Sequence, residues 1–356
     1  MEIADGSTVA DLAAQIGPGL ARSAVAAKIN GQLADLSTPL VGEADVVIVT
    51  TRDEAGLEVM RHSCAHIMAE AICALWPEAK LVYGPTVTDG FYYDIDLDTP
   101  IRPEDFDRIE QAMKEIIKTD TPFERVEMSR AEAEAKMAGD VYKLDNIAHA
   151  TGDVLSFYRH GSEGFEDLCR GPHVPRTGVI DPKAVKIMSV AGAYWHGDAS
   201  QKMLQRVYGT VWRNKKELAD YLNRLEEAKK RDHRLLGRQM DLFSFHEEGP
   251  GFAFLQPKGM RIWNAIIDFW KALHTKYEYE EIKTPIMLNE SLWHKSGHWD
   301  NYKENMYFTT VDETTYAVKP MNCPGGLLVY NSSKHSYREM PMRVAELGLV
   351  HRYEAS

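Results

Sequence analysis

His62-Ser-Cys-Ala-His66 and Cys169-Arg-Gly-Pro-His173 each place two proton-transfer or metal-ligating groups four residues apart. On a helix, the 3.6-residue period turns His62 and His66 onto one face. Such a pair has three ordinary readings: a surface accident, a metal pair, or catalytic groups lining a cleft. The Cys/His pair downstream adds weight to the last two. Four soft or borderline ligands can converge on Zn²⁺, or work as a metal-free acid–base cluster. The spacing does not separate these outcomes, because CxxxH is not a standard zinc-finger spacing and nothing in the chain follows CxxC. A buried, inert thiol is the commoner fate of a cysteine. The polar, glycine-rich approach to Cys169 and His173 nevertheless suits a cleft rim better than a core.

The elements that must position these groups can be read in order. Residues 1–51 form a small module: Thr8 caps a helix through Val9, Leu12 and Ile16, which Gly17-Pro18-Gly19 stops. Ala24 to Ile29, Asn30-Gly31 and Gln32 to Leu36 make a hairpin, and Asp45 to Thr50 a final strand. A helix laid across this sheet buries both apolar faces. The module holds no His or Cys, and by composition it is a structural appendage. From 52 to 212 helices alternate with short strands. Glu58 to Leu75 is an amphipathic helix carrying the two histidines; Leu81 to Pro85 and Phe91 to Leu97 are strands. Pro103 to Lys118 is a helix with an N1 proline, and Ser129 opens another with Glu132 set for a capping box. A loop-rich stretch leads from Tyr142-Lys143 to Asp167-Leu168-Cys169, followed by strands at 187–190 and 193–195. Lys215 to Met240 reads as one long polar helix. Between Arg213 and Arg238 nine Lys or Arg stand against five Asp or Glu, as suited to a solvated linker as to phosphate contact. Gly259 to Glu278 is a helix with an apolar stripe of Ile262, Ile266, Phe269 and Leu273, and Tyr279 to Thr284 enters a strand. The strand–turn chemistry reaching Ser356 is an unusual end for a natural domain.

At 356 residues the chain calls for two or three domains. Apolar content of 44% and charged content of 26% are those of globular domains. A net charge of −12 argues against an indiscriminate nucleic-acid coat protein, while leaving room for RNA binding through a local basic face. Four scattered cysteines favour a reducing compartment. No signal peptide or run of membrane-spanning length is present.

An ordered set of motifs resembles the threonyl-tRNA synthetase family, of class II, from Asp5 to Ser356. It runs from Asp-Gly-Ser at 5–7 and Ile-Gly-Pro-Gly-Leu at 16–20 to Gly-Phe-Tyr-Tyr-Asp at 90–94 and Cys-Arg-Gly-Pro-His-Val-Pro at 169–175. Gly-Ala-Tyr-Trp at 192–195, Lys-Met-Leu-Gln-Arg at 202–206 and Ser-Gly-His-Trp-Asp-Asn-Tyr at 296–302 follow. Lys-Pro-Met-Asn-Cys-Pro-Gly at 319–325 and His-Arg-Tyr-Glu at 351–354 complete it. The resemblance implies an α+β chain of three parts. They are a ubiquitin-like (β-grasp) TGS domain at 1–51, a two-layer α/β editing domain at 52–212, and, after a linker helix at 213–241, an incomplete class II antiparallel-sheet catalytic domain at 242–356.

By the same resemblance, His62, His66, Cys169 and His173 line a cleft that hydrolyses serine mischarged on tRNA(Thr), with Tyr93, Lys143 and Asp167 beside them. The same four groups resemble the zinc site of the alanyl-tRNA synthetase editing domain. The threonyl family is described as editing without a catalytic metal, so the resemblance favours a metal-free cluster and leaves zinc as the alternative. Cys323 matches one ligand of a Zn²⁺ that selects threonine; its two histidine partners would lie beyond Ser356, and His335 and His351 do not fall at the family positions. Arg352 matches the residue at the ATP α-phosphate and Glu354 one near the adenine end, ATP entering with Mg²⁺. The 260–285 helix and strand match motif 1, implying a homodimer. Gly326 stands where the family usually has His, which bears on the local helix start and substrate contacts. The implied protein is a cytoplasmic threonine–tRNA ligase, with no membrane partner. It is cut within motif 2, lacks motif 3, and is expected to be weak or inactive in ligation. Serine lacks only a methyl relative to threonine, worth ~1–3 kcal/mol, too little for one site to reject, so a second sieve is required. Two other readings are a stand-alone trans-editing hydrolase using 52–212, and a non-enzymatic RNA-binding fragment.

Overall fold

The computed structural model describes residues 1–161 and 164–354. Ser162 and Glu163, within the expected editing span, and Ala355 and Ser356, at the end of the expected catalytic span, lie outside the described residues. The chain divides into two compact units, Met1–Lys229 and Lys230–Ser356.

In the first unit, Thr8 caps α1 (Val9–Ile16) through a reciprocal capping box with Asp11, and Gly17 ends it. Pro18 does more than stop that helix: it sits at the first position of a short second one, α2 (Pro18–Ser23), where its missing N–H costs nothing. β1 (Ala24–Ile29) and β2 (Gln32–Ala34) pair across Asn30 and Gly31, both at positive φ, and β3 (Val46–Thr50) pairs antiparallel on the other side of β1. β1 is buried on both faces. Ala24 and Ala27 pack with Val9, Leu12 and Leu36, whereas Val25 and Ala26 pack with α3 (Glu54–Leu75). The first module therefore has a small core of its own on one face of β1 and joins the larger core around α3 through the other.

α3 is longer than expected, and it is not amphipathic in its setting. Fourteen of its residues are buried, including Leu57, Met60, Cys64, Ile67, Met68 and Ile72. The first sheet covers one side. β4 (Lys80–Tyr83), β5 (Thr86–Val87) and β6 (Gly90–Asp96) belong to the sheet on the other, with β10 (Val185–Tyr194) and β11 (Met203–Val211). That sheet runs β10-β11-β6-β4, with β5 paired to β6. Gly56 lets the start of α3 meet β3, since a Cβ there would lie 2.0 Å from the Thr50 carbonyl oxygen. α4 (Phe106–Thr119) packs Ile109, Met113 and Ile117 into the same core.

The stretch expected to be loop-rich is instead ordered. After β7 (Glu124–Ser129) and α5 (Arg130–Lys136), with its Ser129–Glu132 capping box, Asp140 caps α6 (Val141–His149). β8 (Val154–His160) and β9 (Phe165–Leu168) complete a β7-β8-β9 sheet. The two short strands expected at 187–195 are one long strand, β10, interrupted by a register shift between Ile187 and Ser189. The single helix expected over 215–240 is two, α7 (Lys215–Lys230) and α8 (His233–Gln239), because the Asp232 side chain accepts the Arg234 N–H and caps a new start.

The second unit contains α8, the β12 (Phe243–Ser244) and β13 (Phe254–Leu255) pair, and α9 (Pro257–Lys276). Of the strand expected at 279–284, only β14 (Glu280–Glu281) forms, parallel to β18 (Val344–Ala345). β15 (Met287–Asn289), β16 (Phe308–Val311) and β17 (Thr314–Val318) make an antiparallel β15-β17-β16 sheet. α10 (Glu290–Lys295) and α11 (His298–Tyr302) flank it, with Trp293, Met306 and Ala317 as a small core. α12 (Cys323–Asn331) starts normally with Gly326 in its first turn; a Cβ there would meet only Ile282 Cδ1, at 3.8 Å. The glycine therefore does not disturb the helix start. The α9 stripe is exposed, Ile266 at 62% and Phe269 at 66%.

Candidate active site

α3 carries His62 and His66 on one face, and the segment after β9 brings Cys169 and His173 against them. Ligand atoms from all four lie within 4.8 Å of one another. The Cys169 Sγ is 3.1 Å from His62 Nε2 and 3.3 Å from His173 Nε2, and it accepts the Gly171 N–H at 3.3 Å. The His62 imidazole lies tilted against that of His173 and the His66 ring meets it edge-on, with ring centroids 4.4 and 4.5 Å away. The two sequence pairs thus form one cluster.

Burial sets the protonation of this cluster. Desolvation lowers the pKa of His62, opposed by its hydrogen bond to the Pro172 backbone and by the Asp35 and Asp167 charges. His66 and His173 are held well below the usual histidine value, chiefly by burial and then by the neighbouring rings. All three are therefore neutral near pH 7 and able to accept a proton. Burial also pushes the Cys169 thiol up to about 12, leaving it protonated. His62 is the one histidine of the three that is not fully buried, and it lines a cavity of about 460 Å³.

Tyr93 on β6 and Lys143 in the first turn of α6 line that cavity, and the buried Asp167 on β9 meets both of them. The Lys143 ammonium lies 2.5 Å from the Asp167 carboxylate and 3.4 Å from the Tyr93 oxygen, and the Tyr93 hydroxyl donates to Asp167. Burial pushes the Asp167 carboxyl up, but the Lys143 charge and the hydrogen bonds from Lys143 and Tyr93 outweigh it, so its pKa lies below the ordinary value. Burial and the Asp167 charge hold the Tyr93 phenol well above its ordinary value, so it remains a donor. The Lys143 ammonium, held by Asp167, and the neutral imidazoles of His62 and His66 therefore line one cavity large enough for a small ester.

Three further residues at the site carried no sequence signal. Ser63 contacts His173 Nδ1 at 3.1 Å and accepts the Val174 N–H at 2.9 Å, fixing the ring from α3. Asp35, from the first module, accepts the His173 N–H at 2.9 Å. His160 lies behind His66, buried, 3.0 Å from a Glu70 oxygen but outside hydrogen-bonding geometry. Each is an ordinary polar residue in its own segment, and only the fold brings it to the cluster.

The donor set of the cluster fits a tetrahedral zinc ion, for which bonds are about 2.0–2.3 Å, as well as it fits a metal-free cluster. At the second expected metal position, the exposed Cys323 Sγ lies 3.7 Å from His298 Nε2. Among the described residues no third donor joins them, so the residues present do not complete a zinc site there. His335 bonds the Tyr330 carbonyl. Arg352 Nε donates to the Pro320 carbonyl at 3.1 Å, and Glu354 is exposed.

Residues 1–50 match the TGS domain model, and residues 155–208 match the Threonyl and Alanyl tRNA synthetase second additional domain. A threonine–tRNA ligase of Clostridium botulinum (strain Langeland / NCTC 10281 / Type F) is 53% identical over 359 aligned residues, covering 100% of this chain and 56% of the relative. That of Desulfatibacillum aliphaticivorans is 54% identical over 346, covering 97% and 54%. The chain spans about half the length of the curated relatives it matches. The crystal structure of the RNA binding domain of threonyl-tRNA synthetase from Cryptosporidium parvum Iowa II shares 41% identity over 35% of this chain and 32% of that one, with a TM-score of 0.35.

Proposed function

This chain belongs to the threonyl-tRNA synthetase family, matching the amino-terminal part of its ligases, and on that premise we propose that its cluster hydrolyses the ester of serine on tRNA(Thr). One observation carries the reading: the neutral imidazoles of His62 and His66 and the Lys143 ammonium, held by Asp167, line one 460 Å³ cavity. His62, the most accessible base, takes a proton from a water molecule as the water's oxygen attacks the ester carbonyl. The carbonyl oxygen gains negative charge, which the Lys143 ammonium stabilises in a water-poor wall. The C–O bond to the terminal ribose then breaks, and the ribose oxygen takes back the proton, giving free serine and intact tRNA. Cys169 and His173 hold the His62 ring in place. We propose that the step needs no metal, because Lys143 already supplies the positive charge that a Lewis acid would provide.

Threonine differs by one methyl, and the proposed discrimination is steric. The methyl meets the wall and shifts the ester away from the attacking water, and a misplacement near 1 Å costs ~10²-fold.

The remaining expectations extend this proposal to the wider protein. Threonine activation with ATP, charging of tRNA(Thr) in the cytoplasm and pairing of two chains through the exposed α9 stripe are proposed for it. Cys323 and Arg352 are proposed as its zinc and ATP contacts. No helix among the described residues is long and apolar enough to cross a membrane. A second reading, a trans-acting editing hydrolase, is supported by all seven site groups lying within Met1–Lys229. Release of serine from seryl-tRNA(Thr) by the wild-type chain, cut by about 10²–10⁴-fold in His62→Ala, supports hydrolysis. A folded chain that releases none leaves RNA binding as the better reading.

A further inference from the structure

Asp35 comes from the module that the sequence reads as an appendage, yet its carboxylate is buried in the site. It is 6% exposed. Oδ1 accepts the backbone N–H of His173 at 2.9 Å, and Oδ2 accepts the Tyr158 hydroxyl at 2.5 Å. Arg125 Nη1 stands 3.6 Å from Oδ2, so the buried charge is partnered. Tyr158 in turn braces the same turn. Its ring is edge-on to His173 at 4.4 Å, and its hydroxyl sits 2.0 Å from where a Cβ on Gly171 would lie. Gly171 is at φ +72°, so the segment between Cys169 and His173 tolerates that approach only as glycine. One carboxylate thereby fixes the His173 backbone directly and its ring indirectly, while Ser63 holds the Nδ1 side.

We propose that Asp35 is a positioning residue for the ester-cleaving site, so that residues 1–51 complete the site rather than merely adjoin it. This rests on the hydrolytic reading above. Without the carboxylate, the His173 N–H and the Tyr158 O–H lose their partner in a buried setting, which costs far more than an exposed bond. The turn then relaxes and carries His173, and with it Cys169, away from His62. A sub-ångström displacement of catalytic groups lowers the rate without touching substrate contacts.

The test uses the full 356-residue chain with Asp35→Ala, Asp35→Asn and, as a control within the same module, Leu12→Ala. Single-turnover release of serine from seryl-tRNA(Thr), titrated with enzyme, separates limiting rate from half-saturation. Asp35→Ala should lose about tenfold or more in limiting rate with half-saturation unchanged. Asp35→Asn should keep most of the rate, because its amide oxygen still accepts the His173 N–H and its NH₂ donates to Tyr158. Leu12→Ala, which weakens the module core without touching Asp35, should keep the wild-type limiting rate. The imidazole ¹⁵N–¹H resonances of His173 should move in Asp35→Ala and stay put in Leu12→Ala. A wild-type limiting rate in Asp35→Ala, or equal losses in Asp35→Ala and Leu12→Ala, overturns the proposal. If Asp35→Ala does not fold, the proposal stands or falls on Tyr158→Phe: a smaller loss of limiting rate with a shifted His173 signal supports it, and no change in either overturns it. An inactive wild-type chain defeats the hydrolytic reading alone, since the His173 resonances still report whether Asp35 positions the ring.

Discussion

Asp167→Ala should destabilise the chain by about 3–5 kcal/mol near pH 7, and the deficit should narrow as the pH rises. The Lys143 and Asp167 side chains are 6% and 3% exposed, and their charged atoms are 2.5 Å apart. Removing the carboxylate leaves a buried ammonium with the Tyr93 oxygen at 3.4 Å as its hydrogen-bond partner. Lysine has another option, which sets a ceiling. Giving up its proton at pH 7, from an ordinary pKa near 10.4, costs about 4.6 kcal/mol at ~1.36 kcal/mol per unit. The charge penalty therefore cannot exceed that figure, and the lost Tyr93–Asp167 bond adds about 1 kcal/mol. The sign of the pH effect follows. In the variant, burial lowers the folded pKa of Lys143 below its unfolded value, so the unfolded chain binds more protons between the two. Stability of the variant then rises with pH in that window, and the deficit shrinks by about 1.4 kcal/mol per unit. Urea unfolding at several pH values between 7 and 10 reads this directly. For a unit of this size the melting temperature should fall by roughly 6–20 °C at neutral pH. Asp167→Ala with Lys143→Met removes both charges and should recover most of the stability, yet remain inactive. A deficit that does not change with pH, or a double variant as unstable as the single one, refutes the buried-pair account.

Two other outcomes follow from the cluster. His62→Ala should cut serine release by about 10²–10⁴-fold as a lost general base, and Cys169→Ala by less, as a lost brace; equal, negligible losses in deacylation assays would count against both roles. Acid should destabilise the chain early: burial depresses the folded pKa values of His62, His66 and His173 below 6.5, so stability is complete above 6.5 and falls as the pH drops toward the folded values. A urea midpoint that stays level from pH 7 to about pH 5 would contradict it.

Local rules carried much of the fold. Thr8, Asn30-Gly31 and the Ser129–Glu132 box announce their elements because each acts within a few residues, through caps and positive-φ turns. His62, His66, Cys169 and His173 were legible because each pair is local, and the ordered motifs joined the pairs. What the sequence hid is non-local. α3 reads as amphipathic because its few polar positions fall on one face, but packing on both sides buries fourteen of its 22 residues. α6 and the β8–β9 hairpin read as loop because Tyr142 to Leu168 mixes short periods with glycines. The 215–240 helix looked continuous because Asp232 is unremarkable until its side chain caps the Arg234 N–H. Asp35 and Ser63 are invisible in the same way: a carboxylate after a hairpin strand and a serine inside a helix gain meaning only from His173. For the same reason the boundary at 51/52 conceals contacts that cross it, and an isolated 52–212 segment would lack Asp35.

The central claim is that this cavity cleaves a serine ester and spares threonine without a metal. Single-turnover deacylation of seryl- and threonyl-tRNA(Thr) by the purified chain, with and without a strong chelator and alongside a zinc assay, tests it most directly. The account predicts serine release about 10²-fold faster than threonine release, unchanged by chelator, with no stoichiometric zinc. Loss of activity on chelation with one zinc per chain contradicts the metal-free mechanism, and equal uncatalysed decay of both esters by a folded chain contradicts the hydrolytic site itself.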